Sequence, residues 1–500
     1  MSAQGGTSVE AAAGTAPGTS GAAAAAPADG PNATDGARQP AGAASISATV
    51  AALADRVSDV KVGKEEQTDE PDPSMKSAGL QESEKEVETN IVGETMYTSA
   101  STFEDLGLPT ELLEGLYVEM KFQRPSKVQA TTLPMILNPP HRDLIAQAHN
   151  GSGKTTCFVL AMLTRVDPEL HEPQALCVCP TRELVAQNHA VLQKMGKYTK
   201  LESMSTSTSE ELPTSQKIKA QIIFGTHGRL KFWISRRMLG LGKMKVVVLD
   251  EADNMLEAQG FADDSFRMIR EIRSQSPGIQ LLMFSATYSE VVRKFACRIS
   301  REANEVFLPK EELSLDVIKQ YRVNVPYKDD KVWVLLQQIL PNCEKLGQTI
   351  IFVRTREMAR VLHARLTEDG FKCTAISGEM PFDKRDQVVN EFRTGVTTIL
   401  ISTDVLSRGF NVDEVTLVVN YDIPTDRNRE PAFETYLHRI GRSGRFGRKG
   451  VAFNLCVSNW NDGQILDRIS EYFQREIPAV EYEDEEAFLR ILKDAGLTDG

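Results

Sequence analysis

Eight consecutive residues, Ala148-His149-Asn150-Gly151-Ser152-Gly153-Lys154-Thr155, have the types and spacing of a phosphate grip. Phosphates need closely approaching backbone N–H groups, and Gly151 and Gly153 carry no side chain that would block them. The loop follows the apolar run Asp143–Ala146 and precedes the helix-like Thr156–Leu163. The N–H groups and dipole at a helix start favour an anion there. Asn150 through Thr156 are therefore candidates to line a nucleotide. Lys154 would reach the β- and γ-phosphates, and the Thr155 hydroxyl would ligate Mg²⁺. The first glycine of the general pattern is replaced by Ala148, and a Gly-rich turn by itself is a weak signal.

Two further features strengthen it. Val246-Val247-Val248-Leu249 runs into Asp250-Glu251-Ala252-Asp253. A carboxylate at the C-terminal edge of a parallel strand points into the crevice where ligands bind. Asp250 is placed to hold Mg²⁺ through water, and Glu251 to orient and deprotonate an attacking water. Asp253 reads as a residue that holds neighbouring segments together. Far downstream, Tyr436-Leu437-His438-Arg439-Ile440-Gly441-Arg442-Ser443-Gly444-Arg445 sets three arginines at a spacing of three, on one side of a helix or tight turn. Arginine suits the charge of a phosphoryl transition state. The chemistry expected is ATP hydrolysis with Mg²⁺, shared between two parts of the chain.

The elements that must position these residues are legible as runs. Leu176–Cys179, Gln221–Phe224, Val246–Leu249 and Leu281–Phe284 form one series of short β-branched stretches alternating with helix-length amphipathic ones. Thr349–Val353, Thr374–Ile376, Thr398–Ile401, Leu417–Asn420 and Ala452–Val457 form a second. Continuous apolar runs indicate strands covered on both faces, and strand–helix alternation gives parallel sheets with right-handed crossovers. The fold class expected is α/β, with two tandem parallel-sheet domains over 98–309 and 316–500, joined through Lys310–Leu315.

Residues 1–97 have a different composition: Ala, Gly, Pro, Ser and Thr first, then charged residues. They cannot bury enough surface to offset the entropy of ordering, so a mostly disordered tail is expected. Residues 1–100 carry 15 acidic and 6 basic side chains, −9 of the chain's −12, leaving −3 for the other 400 residues. The global charge therefore does not exclude a basic cleft. Hydrophobic residues make up 41% of the chain, enough for a substantial core. The seven cysteines include no CxxC pair and read as buried thiols of a cytosolic or nuclear protein. No apolar stretch approaches the ~20 residues needed to span a bilayer, and no secretory signal is expected at the N-terminus.

Taken together over about residues 100–485, these segments resemble the DEAD-box RNA helicases. The resemblance implies two RecA-like domains and assigns further roles. Phe122 would stack on adenine and Gln129 would read its edge, although Lys121 stands where the family has glycine. Thr181, Arg182, Gly228 and Arg229 would contact the RNA backbone in the first domain. His227 replaces the usual proline there, and the double-glycine motif expected near Ser203–Glu210 is missing. Ser285 and Thr287 would couple hydrolysis to strand separation by bridging Asp253 and His438 across the closed cleft. In the second domain Arg354, Ser377, Gly378 and Thr403 would contact RNA. Gly409 and Asn411 would meet the nucleotide, Asn411 standing where the family has aspartate. Arg442 and Arg445 would be the arginine fingers, with Arg439 organising the turn. ATP and RNA together would close the domains and bend the bound strand.

The long connection Asn420–Tyr436 and the flanks of the phosphate loop, Leu144–Gln147 and Phe158–Leu163, are similar to those of the mRNA-export helicases at the cytoplasmic face of the nuclear pore. That subfamily implies a monomer acting on single-stranded RNA in mRNA–protein complexes. Its partners would be a nucleoporin and a pore activator dependent on inositol hexakisphosphate. A helicase of translation initiation or ribosome assembly, and an RNA clamp without productive turnover, stay open as alternatives.

Overall fold

The computed structural model describes residues 88–92, 97–148, 151–207, 212–257, 261–300, 302–307, 318–342, 347–404, 415–426, 428–444 and 450–495. Most of the expected tail and all of the expected join, Lys310–Leu315, lie outside these residues.

Fifteen strands among the described residues form two sheets. The first contains β1 (Glu88–Asn90), β2 (Leu144–Gln147), β3 (Ala175–Cys179), β4 (Ser203–Ser205), β5 (Ile222–Thr226), β6 (Val246–Leu249), β7 (Gln280–Ser285) and β8 (Asn304–Phe307). Their spatial order is β1-β8-β2-β7-β6-β3-β5-β4. All neighbours are parallel except β1 with β8. The second sheet contains β9 (Ile318–Val325), β10 (Gln348–Phe352), β11 (Cys373–Ile376), β12 (Ile399–Ser402), β13 (Val415–Asn420), β14 (Gly450–Val457) and β15 (Ala479–Glu481). Its order is β11-β12-β10-β13-β14-β9-β15, parallel throughout. Two parallel-sheet α/β domains are thus present, as the apolar runs imply. β1 falls inside the stretch expected to be disordered; it adds an antiparallel edge to β8, with Glu88 opposite Phe307.

The central strands are buried at every position, which is why they read as continuous apolar runs. Helices cover both faces, so each sheet has two apolar clusters, one per face. Cys177 and Cys179 lie on one face of β3, with sulfurs 3.8 Å apart. Burial pushes both thiols above their ordinary value. Val128 and Ala148 of the first domain belong to an apolar cluster that otherwise comes from the second, so the two domains touch beside the phosphate loop.

Candidate active site

Strand order decides what meets at the C-terminal edge of the first sheet. β7 lies between β2 and β6, with Ser285 beside Gln147 and Met283 beside Leu249. The phosphate loop, the segment Ser285-Ala286-Thr287 and the pair Asp250-Glu251 therefore emerge from three adjacent strands. The Ala148 N–H donates to the Ser285 carbonyl at 3.0 Å, a direct backbone link between the loop and the segment Ser285-Ala286-Thr287.

Gly151 and Gly153 have φ of +85° and +92°, in the region glycine favours. A Cβ on Gly153 would lie 2.3 Å from Gln129 Nε2, so glycine is required there on two counts. Gln129 is fully buried. Its Oε1 accepts from the Ser126 N–H at 3.0 Å, and its Nε2 donates to the Gly153 carbonyl at 3.3 Å. Ser126 Oγ donates to the Ser152 carbonyl at 2.9 Å and caps the helix Lys127–Leu137. Gln129 and Ser126 thus clamp the loop. Phe122 is buried and stacks on Phe103, with ring centroids 6.4 Å apart. Lys121 has φ +56°, which accounts for the family's glycine at that position. Gly153 begins the helix Lys154–Arg165 with no side-chain cap and no acidic residue in its first turn, and Lys154 Nζ donates to the Ala148 carbonyl. Thr156 is buried and Thr155 half-buried at that helix start.

Asp250 extends the β6 ladder through its N–H to the Val178 carbonyl at 3.0 Å. Its Oδ2 accepts from Asn188 Nδ2 at 2.7 Å and its Oδ1 from the Glu251 N–H at 3.0 Å. Burial raises the Asp250 carboxyl above its usual range, opposed by the Asn188 hydrogen bond and the Lys154 ammonium. Glu251 sits at φ +49°, a strained conformation that persists only where the surroundings enforce it. It is 6% exposed, and its Oε2 is buried with no hydrogen-bond partner. A carboxylate oxygen left open in this way fits a water to be activated.

Asp253 is fully buried. Its Oδ2 accepts from Thr287 Oγ1 at 2.8 Å and the Thr287 N–H at 3.2 Å, and its N–H donates to Ser285 Oγ at 3.3 Å. His438 Nε2 of the second domain lies 3.5 Å from the same Oδ2. Asp253 itself therefore meets His438, and the two hydroxyls fasten Asp253 from behind. His438 and Arg439 lie on the helix Phe433–Ile440. Arg439 is buried, pairs with Asp404 Oδ1 at 2.7 Å, and donates to Asn420 Oδ1 and the Asp422 carbonyl at 3.2 and 2.7 Å. Buried Arg442 follows in a turn, its Nε donating to the His438 carbonyl at 2.9 Å. Asn150, Gly409, Asn411 and Arg445 lie outside the described residues.

The residues assigned to RNA lie at the same strand edges. β3 and β5 end beside one another, at Cys179 and Thr226, and lead into Thr181–Arg182 and Gly228–Arg229. Thr181 Oγ1 caps the helix Arg182–Met195, and Arg182 Nη2 donates to the Ser207 carbonyl. His227 is the first residue of the helix His227–Ser235, a position that proline also suits, so the helix starts there without proline. In the second domain β11, β12 and β10 end together and place Ser377–Gly378, Thr403–Asp404 and Arg354 side by side. Arg385 donates to the Ser377 and Gly378 carbonyls and pairs with Glu183 of the first domain at 3.0 Å, both side chains 9% exposed.

Asn188 and the Glu183–Arg385 pair were not singled out in the sequence. Asn188 could have been: it interrupts the stripe Leu184, Val185, Leu192 and Met195 that its helix buries. Arg385 carries no such signal, sitting on the strongly polar helix Phe382–Arg393.

A phosphate loop, an acidic strand end and a buried arginine turn, gathered by two parallel-sheet domains, define a two-domain ATPase. The particular kind follows from residues 126–295, which match the DEAD/DEAH box helicase model, and residues 330–447, which match the helicase conserved C-terminal domain. The chain belongs to the DEAD-box ATP-dependent RNA helicases, which are hydrolases. It is 48% identical over 414 residues to DEAD-box ATP-dependent RNA helicase 38 of Arabidopsis thaliana, covering 81% of this chain and 83% of that protein. Among solved structures it resembles S. cerevisiae Dbp5 bound to RNA and ADP BeF3 at 42% identity and TM-score 0.74, covering 79% of this chain and all of that one. A variant of S. cerevisiae Dbp5 bound to Nup159, Gle1, IP6 and ADP is 40% identical, with TM-score 0.56, covering 78% and 99%.

Proposed function

We propose that this chain uses ATP binding and hydrolysis to remodel mRNA–protein complexes during export, at the cytoplasmic face of the nuclear pore. The observation that carries the ATPase cycle is the meeting of Asp253 and His438 across the domains, with Ser285 and Thr287 behind Asp253. Domain closure assembles this contact and brings the arginine turn to the phosphates. Lys154 exchanges the Ala148 carbonyl for phosphate oxygens, and Gln129 holds the loop while Phe122, backed by Phe103, shapes the adenine side. Glu251 takes the proton of the attacking water, and Arg442, with Arg445, faces the charge that develops. Thr181, Arg182, Gly228, Arg229, Arg354, Ser377, Gly378 and Thr403 grip the RNA backbone with little base readout.

The oxygen donors present fit Mg²⁺, which favours few carboxylates together with phosphate oxygens. Asp250, oriented by Asn188, and Thr155 would hold it, and it would neutralise phosphate charge. Among the described residues no cluster of three or more His, Cys, Asp or Glu could hold a metal by itself. No described helix is long and apolar enough to cross a membrane.

Similarity to Dbp5, bound to RNA in one solved structure and, as a variant, to Nup159, Gle1 and IP6 in another, supports the export reading, with a nucleoporin and an inositol-hexakisphosphate-dependent activator as partners. The test is steady-state ATP turnover with RNA titrated, then with Gle1 and inositol hexakisphosphate added separately and together. RNA should stimulate, and the pair together should stimulate further. RNA stimulation without any response to the pair would move the chain to translation initiation or ribosome assembly.

A further inference from the structure

Lys331 is 1% exposed, in the helix Asp330–Trp333 at the start of the second domain, and nothing in the proposed cycle uses it. Its ammonium has few partners. Nζ donates to the Tyr421 carbonyl at 2.8 Å and lies 3.5 Å from Asp462 Oδ2. The rings of Tyr421 and Trp460 lie 5.5 and 5.8 Å away. One distant carboxylate is modest compensation for a buried charge, and a methionine of similar length would fill the space without desolvating one. Stability alone is therefore a poor reason for a lysine here.

The Tyr421 carbonyl supplies the reason. It belongs to the peptide plane just beyond the end of β13, and the opposite side of that plane, the Asp422 N–H, donates to the Phe352 carbonyl at 3.3 Å. Lys331 and Phe352 thus fix the plane from both sides. The next groups along the chain hold two arginine-bearing segments. Asp422 Oδ2 accepts from the Arg354 N–H at 2.8 Å, and the Ile423 carbonyl from Arg354 Nη2 at 3.3 Å. The Asp422 carbonyl accepts from Arg439 at 2.7 Å. We infer that Lys331 is a positioning residue for ATP turnover: by fixing the Tyr421–Asp422 peptide it sets Arg354 on the RNA side and the His438–Arg442 turn on the nucleotide side. This rests on the proposed roles of Arg354 and Arg442.

The test uses the full chain, with ATP titrated at saturating RNA and melting followed in parallel. Asp462→Asn breaks the ion pair but keeps the bond to Tyr421, so kcat should stay within about twofold whatever happens to melting. Lys331→Met with Asp462→Asn leaves no unpaired charge and removes the bond; kcat should fall about tenfold or more, as misplacement of a catalytic group does, with the KM for ATP little changed. Lys331→Arg keeps a donor and should retain turnover. Wild-type kcat in the folded double variant overturns the inference. So does an Asp462→Asn loss equal to that of the double variant, or a folded Lys331→Arg as slow as the double. Arg442→Ala is the separate control. If it turns over normally, the role given to the arginine turn fails irrespective of the Lys331 variants.

Discussion

The Glu183–Arg385 pair offers a quantitative handle on domain closure. Glu183 follows Thr181 and Arg182, and Arg385 holds the Ser377 and Gly378 carbonyls, so one ion pair ties together segments assigned to RNA in both domains. The pair is largely buried at 3.0 Å. Glu183→Gln keeps the shape and leaves the guanidinium without its countercharge. Breaking a fully buried pair costs about 3–5 kcal/mol, and this pair keeps some solvent, so about 2–3 kcal/mol is reasonable. That cost falls on the closed arrangement alone, which should weaken closure about 30- to 150-fold. The assay is ATP turnover against RNA concentration for Glu183→Gln, Arg385→Gln and the double variant. Each single change should raise the RNA concentration for half-stimulation by a factor of that order, and the double should be no worse than the poorer single. Strictly additive effects, with a coupling below about 0.3 kcal/mol, would refute the reasoning, because contacting residues must couple.

Other outcomes follow from the site. Gly153→Ala should cost about 3 kcal/mol, from the strain at φ +92° and the displaced Gln129 hydrogen bonds, and should show as a lower melting temperature with weakened ATP binding. Glu251→Gln should keep ATP and RNA binding yet lower hydrolysis about a hundredfold or more, checked by single-turnover kinetics; normal hydrolysis would mean the base is misassigned. Asp250→Asn should abolish turnover while raising the melting temperature near neutral pH. The folded carboxyl is raised above its unfolded value, so the charged form weakens the fold above the folded pKa, and the difference from wild type should vanish as pH falls below the unfolded value. Lys121→Gly should stabilise by about 0.5–1 kcal/mol, read from thermal melting, since it relieves φ +56°.

Most of the strands legible beforehand are buried on both faces, because full burial leaves an uninterrupted apolar run; β11, read from Thr374–Ile376, is an exception, its positions alternating between half-buried and buried. β4 is only half-buried and β15 is exposed at its two outer residues, so neither departs from its polar surroundings. Within the site, Lys154, Asp250 and Glu251 could be recognised because each terminates or follows an apolar strand. What could not be read was adjacency set by strand order. That β7 lies between β2 and β6 depends on crossovers, and Glu183 and Arg385 are 202 positions apart with no local pattern joining them. The backbone strain at Glu251 was equally silent, since a positive φ at a glutamate contradicts its own preference and is imposed by the neighbours.

The position of β7 also bears on how such a chain can diverge. Its outgoing loop touches the phosphate loop on one side, through Ser285, and the acidic segment on the other, through Thr287 and Asp253. An insertion after an outer strand of the sheet lengthens a loop with at most one functional neighbour. An insertion after β7 would separate two at once. Length variation among related chains should therefore accumulate at the rim of the sheet and be purged from its middle, and a library of random insertions in this gene would map that boundary directly.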